Sequence, residues 1–326
     1  MAISLKKSRK GIFLTLIALI LLAGFVLFFT SDDPRLKPEH SAHVHINNIN
    51  ELMADLESVY IRENADASST RAINSLVTYM RQTQTFLPNF EGRFLEVMRY
   101  GTYAGTPIDT LTGQVYMANY TLQGRLLVLE NTIEDIYNVQ VTLGIDGVSA
   151  YQKEPWHLIV ESNVSLSINS SEASWNTNFT VFTQVPIDRF IDPYVAIQSA
   201  NTIVQQFNES PVSNLAWNIT NFENHVRTGT YTHFENGQAP SFIMRFTNTV
   251  AGSLCCGVES LIDPNQLGAP DQEESYVDYL FYTHAYLGNC DELFDIINVP
   301  YLSGLKLENS HVSLYSIPVG YYSVNC

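Results

Sequence analysis

An apolar run from Ile12 to Phe29, interrupted only by Thr15 and Gly24, constrains this chain more than any other feature. As a helix its 18 residues span about 27 Å at ~1.5 Å per residue, enough to cross a hydrocarbon core. Lys6, Lys7, Arg9 and Lys10 precede it, and Asp32 and Asp33 follow. The bias of basic residues toward the cytoplasmic side places the N-terminus inside and the rest outside. The exit Phe28-Phe29-Thr30-Ser31-Asp32 has no small-x-small cleavage site, so the run reads as a retained anchor rather than a secretory peptide. The expectation is a single-pass membrane protein with a lipid bilayer as partner.

The chain carries 17 basic and 33 acidic residues. Without the four basic residues that precede the run, 13 face 33, a formal charge of −20. Such a surface repels a polyphosphate backbone, which excludes nucleic acid as a partner.

The apolar period divides the remainder. Ile46, Ile49, Met53, Leu56 and Tyr60 recur at three- and four-residue intervals, the spacing of a helical seam. Asp66 to Ser69 offers a cap for a second helix carrying Ile73, Leu76, Val77 and Met80, and Phe90, Phe94, Val97 and Met98 suggest a third. A long amphipathic helix follows from Val115 to about Tyr137. Beyond it the period becomes two. Leu158, Val160, Ser162, Val164, Leu166 and Ile168 point one way, and Phe179, Val181, Thr183, Val185 and Ile187 repeat the pattern after a polar turn, so the two runs pair as an antiparallel hairpin. Shorter strands are expected at Val139 to Ile145 and Val148 to Gln152, and Asp192-Pro193 opens a helix to Phe207. The fold class is α+β: a basic leader over 1–11, a transmembrane helix over 12–29, a linker and helical stalk region over 30–137, and an α+β head over 138–326 whose C-terminal part is tied by disulfides.

Those disulfides would draw on Cys255, Cys256, Cys290 and Cys326. A bond between neighbours needs a strained ring, so the expected pairings join Cys255 and Cys256 to Cys290 and Cys326, with bound zinc as the alternative. His40, His43 and His45 form the other metal-type cluster, and no carboxylate or cysteine completes a recognised spacing with them. Six N-x-Ser/Thr sequons, at Asn119, Asn163, Asn169, Asn178, Asn208 and Asn218, are candidate glycosylation sites. No nucleophile elbow, HExxH, phosphate-binding loop or dinucleotide fingerprint occurs, so no catalytic residue, metal ligand or cofactor is assigned.

Lys7-Ser8-Arg9-Lys10-Gly11, followed by Ile12-Phe13-Leu14-Thr15-Leu16, resembles an archaeal type IV pilin-like leader. The resemblance implies cleavage between Gly11 and Ile12 and an apolar helix free to pack in a filament. Leu16 stands where many pilins carry a glutamate. Glu154-Pro155-Trp156, Val185-Pro186-Ile187, Asp192-Pro193-Tyr194, Ser241-Phe242-Ile243-Met244-Arg245-Phe246 and Cys256-Gly257-Val258-Glu259-Ser260-Leu261 are together similar to archaeal envelope proteins with one N-terminal span, a family with no assigned activity. The expected function is a non-enzymatic envelope protein, pilin-like, acting in adhesion or surface assembly with other copies of itself or other envelope proteins. The alternative is a solitary anchored receptor or binding module for a small ligand or glycan.

Overall fold

The computed structural model describes Leu21 and residues 38–171, 173–212, 217–235, 237–267, 274–283 and 293–324. The chain divides into two units, Met1–Ala54 and Asp55–Cys326.

No helix among the described residues is long and apolar enough to cross a membrane. This corrects the expectation of a transmembrane helix, with its single-pass localisation. The helices described are amphipathic: α1 (Pro38–Asp55) contains Glu39, Glu51 and Asp55, and α2 (Ile61–Thr83) contains Arg62, Glu63, Asp66, Arg71 and Arg81. Each unpaired charge of this kind costs about 3 kcal/mol at the centre of a bilayer. The run over 12–29, apart from Leu21, and the candidate processing residues Gly11 and Ile12 lie outside the described residues.

The second unit opens with a π-helical turn, Leu56–Tyr60, and then α2. Asp66 to Ser69 do not cap a helix; they lie inside α2, and Ser68 and Ser69 are fully buried. Ser69 Oγ sits 3.6 Å from Met98 Sδ of α3 (Phe90–Tyr100), so small side chains at this level let the two helices approach. Asn89 caps α3 by accepting from the Gly92 N–H. A two-stranded ribbon, β1 (Thr102–Tyr103) and β2 (Thr106–Pro107), leads to α4 (Ile108–Thr112).

Residues 115–121 were expected to be helical, and the structure makes them a loop. The Asp109 carboxylate accepts the N–H groups of Tyr116, Met117 and Ala118 at 2.8–3.0 Å, satisfying them without a helix. Helix α5 (Leu122–Tyr137) then starts from a Thr121 cap.

A three-stranded antiparallel sheet follows: β3 (Gln140–Glu154), β4 (His157–Asn169) and β5 (Ser174–Pro186), in that spatial order. The β4–β5 hairpin pairs without a slip from His157↔Pro186 to Asn169↔Ser174, as the alternation predicts. The two short strands expected before it are one strand, with register shifts after Ile145 and Tyr151. Leu158, Val160, Val164, Leu166 and Ile168 are buried on the inner face. Helix α2 packs against β5, and α3 and α5 against β3.

Helix α6 (Pro193–Gln198) is capped by Asp192 as expected but stops far short of Phe207, because Ala200 and Asn201 take positive φ. After α7 (Ile219–Thr228), α8 (Phe242–Phe246) and α9 (Asp278–Thr283), a small sheet closes the fold. It comprises β6 (Leu293–Ile296), β7 (Lys306–Glu308) and β8 (Tyr322–Val324), ordered β7-β6-β8, with α10 (Asn309–Leu314) between the last two in sequence. An aromatic core that includes Tyr194, Trp217, Phe222, Phe234, Tyr276 and Tyr315 fills this half.

Candidate functional site

Two places concentrate unsatisfied chemistry or unusual charge: a buried ionic network in the C-terminal half, and the uncovered side of the three-stranded sheet.

The network is centred on Arg245, which like Asp192 and Asp278 has no exposed side-chain surface. Its Nη1 lies 2.7 Å from Asp192 Oδ2 and 2.8 Å from Asp278 Oδ2, and its Nη2 donates to the Val258 carbonyl. Asp192 is held from two sides: the Tyr194 N–H donates to Oδ1 and the Tyr231 hydroxyl to Oδ2. One guanidinium faces two carboxylates, and the imbalance appears in the titration of Asp278. Burial pushes Asp278 up to about 6 against the pull of Arg245. Burial also works against the charge on Arg245, but Asp278 and Asp192 more than offset it and hold Arg245 protonated. Burial, then Asp192, raises the Tyr231 hydroxyl well above its ordinary range.

A second chain of polar groups runs alongside. Thr230 Oγ1 lies 2.8 Å from His225 Nδ1, His225 Nε2 lies 3.4 Å from the Tyr315 hydroxyl, and that hydroxyl donates to Glu259 Oε1 at 3.0 Å. Glu259 Oε2 is 3.1 Å from His311 Nε2, and the opposite ring nitrogen of His311 meets Glu308. Glu308 also accepts from Ser275 and Ser310. Burial alone lowers His225 to about 3, so its ring is neutral at pH 7. Glu308 and His311 line a cleft of about 560 Å³ whose other walls include Tyr279, Leu280, Gly252 and Leu314. Both nitrogens of His311 already face carboxylates, and the Ser275 hydroxyl points at Glu308 rather than at an imidazole. The arrangement can hold a charge or a donor at the cleft floor; it does not pair a nucleophile with a base.

Around the sheet, the two edges differ. Ile187 N–H donates to the Trp156 carbonyl, and with the hairpin register this fixes which residues of β5 bond to β4: the odd-numbered ones. Asn176, Asn178, Thr180, Phe182 and Gln184 therefore turn their N–H and C=O groups away from the sheet. Among the described residues none of these groups takes a hydrogen bond from the protein. On the opposite edge, three of the corresponding groups of β3 are occupied. Glu134 accepts the Val141 N–H, Glu130 accepts the Leu143 N–H, and Arg99 donates to the Ile145 carbonyl. β3 also carries Asp146, Lys153 and Glu154 and two irregularities, whereas β5 reads SWNTNFTVFTQVP, without a charge or a bulge. Charges, bulges and side-chain caps are how proteins keep a strand edge from pairing. One edge has all of them and the other has none.

The sequence-derived candidates fall as follows. Asn163, Asn169 and Asn178 lie exposed on the outer face of this sheet, and Asn119, Asn208 and Asn218 are exposed elsewhere. The Asn218 side chain caps α7. Asn163 and Asn178 occupy adjacent strands, and Thr180, which completes the Asn178 sequon, donates to Asn163 Oδ1 at 2.8 Å. Cys255 and Cys256 are bonded to each other, with Sγ–Sγ 2.07 Å. This corrects the expected pairing of both with Cys290 and Cys326, and replaces the zinc alternative for these two; a single peptide bond already brings the sulfurs together, with no loop left to close. Cys290 and Cys326 lie outside the described residues. His40, His43 and His45 lie in α1, where their side chains are outside those described. Among the described residues no group of three or more histidines, cysteines and acids is placed to hold a metal ion.

Sequence reasoning assigned no role to Arg245, Asp278, Glu259, His311 or Glu308. Three separate segments, around Asp192, Arg245 and Val258, converge on the Arg245 guanidinium. Compared with known proteins, the chain matches no family model, no curated sequence and no solved structure.

Proposed function

We propose that this chain works by non-catalytic assembly, with the free edge of β5 as its docking surface. One observation carries the reading: a 13-residue strand presents an unbonded, uncharged row of backbone groups in a chain of formal charge −16 whose opposite edge is capped at Val141, Leu143 and Ile145. Addition of a strand to such an edge gives a main-chain ladder whose strength does not depend on particular side chains. The buried network supports the same reading, since its charges are spent on one another inside the core of the C-terminal half.

Hydrogen exchange on the chain prepared from its own cells tests this. The amides of Asn176, Asn178, Thr180, Phe182 and Gln184 are expected to exchange slowly, and to lose that protection in Thr180→Lys, which places a charge on the edge. Loop-like exchange of these amides in the unaltered chain sinks the reading.

The cleft above Glu308 and His311 favours a second reading, capture of a small ligand with an apolar body and a cationic amine. Saturation-transfer NMR with a set of arylalkylamines checks it: hits that vanish in Glu308→Gln support it, and no hits, or hits indifferent to that change, dismiss it.

A further inference from the structure

The assembly reading leaves the occupant of the edge unnamed, and the sequence of β5 itself points to one. We infer that the partner is a second copy of this chain, whose β5 pairs antiparallel with the first about a twofold axis at Thr180. This rests on the edge being a docking surface, and adds the identity and register of what docks.

Three observations lead there. The first is length. Ser174–Pro186 is centred on Thr180, so antiparallel pairing with full overlap sets Thr180 opposite Thr180 of the other copy. In this register the even-numbered residues, which have the free backbone groups, face one another and can form the bonded pairs of the ladder.

The second is side-chain matching. On the outer face Asn176 meets Gln184, Asn178 meets Phe182 and Thr180 meets itself. On the inner face Trp175 meets Val185, Thr177 meets Thr183 and Phe179 meets Val181. On the inner face the aromatic residues fall against β-branched ones, and Thr177–Thr183 and Thr180–Thr180 set hydroxyls against hydroxyls, the cross-strand pairs that stabilise sheets.

The third is charge and room. Two copies of a chain with formal charge −16 repel, and a strand with no ionisable side chain is where they can approach with the least penalty. Beside Phe182, Thr183 and Gln184 a groove of about 620 Å³, lined also by Arg62, Glu63, Asp66 and Arg189, leaves space along the edge where the other copy's strand would begin. A twofold contact of this kind is isologous, with the same patch used on both sides.

Thr180→Cys, treated with a short bismaleimide, tests the register. The two thiols are expected to link into a covalent dimer about tenfold more efficiently than in the control Thr142→Cys, whose cysteine sits on the outer face of β3, because facing Cβ atoms in a bonded pair lie about 5.5 Å apart. The pair Asn176→Cys and Gln184→Cys, on separate copies mixed together, is expected to link as well. If Thr180→Cys links no better than the control while the β5 amides are still protected from exchange, the second-copy claim is overturned and the docking surface stands with another occupant. If the amides are unprotected too, both fall.

Discussion

Arg245→Met is expected to lower the unfolding free energy at pH 7 by about 3–5 kcal/mol, a large part of the 5–15 kcal/mol that ordinarily holds a domain together. The methionine fills most of the volume but leaves Asp192 and Asp278, both fully buried, facing each other without a countercharge. The Val258 carbonyl also loses its donor. The molecule can recover only by protonating a carboxylate, and Asp278, already raised to about 6, is the one that takes the proton first. The variant is therefore expected to regain stability relative to the parent chain as pH falls from 7 to 5. Urea unfolding midpoints at the two pH values measure both effects. A loss below about 1 kcal/mol, the scale of an exposed ion pair, would falsify the idea that this network organises the C-terminal half.

Acid is expected to destabilise the chain through His225. Its folded pKa of about 3 lies below the usual 6.5, so between those values the unfolded chain binds a proton that the folded chain excludes. Stability is then fully present above pH 6.5 and declines as pH falls, by about 1.4 kcal/mol per unit, or about 3 kcal/mol by pH 4. Asp278 acts in the opposite sense. Its folded pKa is raised from 3.8 to about 6, so the folded chain holds the extra proton, and its contribution is greatest below pH 3.8 and lost as pH rises through 6. The two slopes partly cancel in the parent chain. His225→Phe removes one of them, and its stability measured from pH 7 to pH 4 should fall less steeply than the parent's, or rise. Parallel profiles would mean that His225 takes up its proton as readily in the fold as in the unfolded chain.

The sheet was legible wherever one face is buried and the other is not. Leu158 to Ile168 and Val181 to Val185 alternate because each inward position meets the helices and each outward one does not. Edge status has no such periodicity. Whether a strand is central depends on which strands fold beside it, and only the absence of charge in β5 marks its place in retrospect. The helical half was read in outline, with its boundaries displaced by competing local bonds. Asp66 to Ser69 look like a cap, yet Ser68 and Ser69 are buried and Ser69 meets Met98 of α3, while Asp109 takes three backbone donors that a helix would otherwise have used. The buried charges were illegible because acidic residues in an acidic chain read as surface. Their partner Arg245 stands in an apolar run, SFIMRF, that gives no hint of two carboxylates arriving from residues 53 and 33 positions away.

The carboxylates of Glu130 and Glu134 acquire a different meaning once two copies share β5. The doubled sheet would run β3-β4-β5-β5-β4-β3, and each of its outer borders would be a strand whose Val141 and Leu143 amides are already taken. At those two positions a third copy finds no free amide. Two side chains of α5, far from the contact, would thus oppose the step from a closed pair to an open-ended fibre.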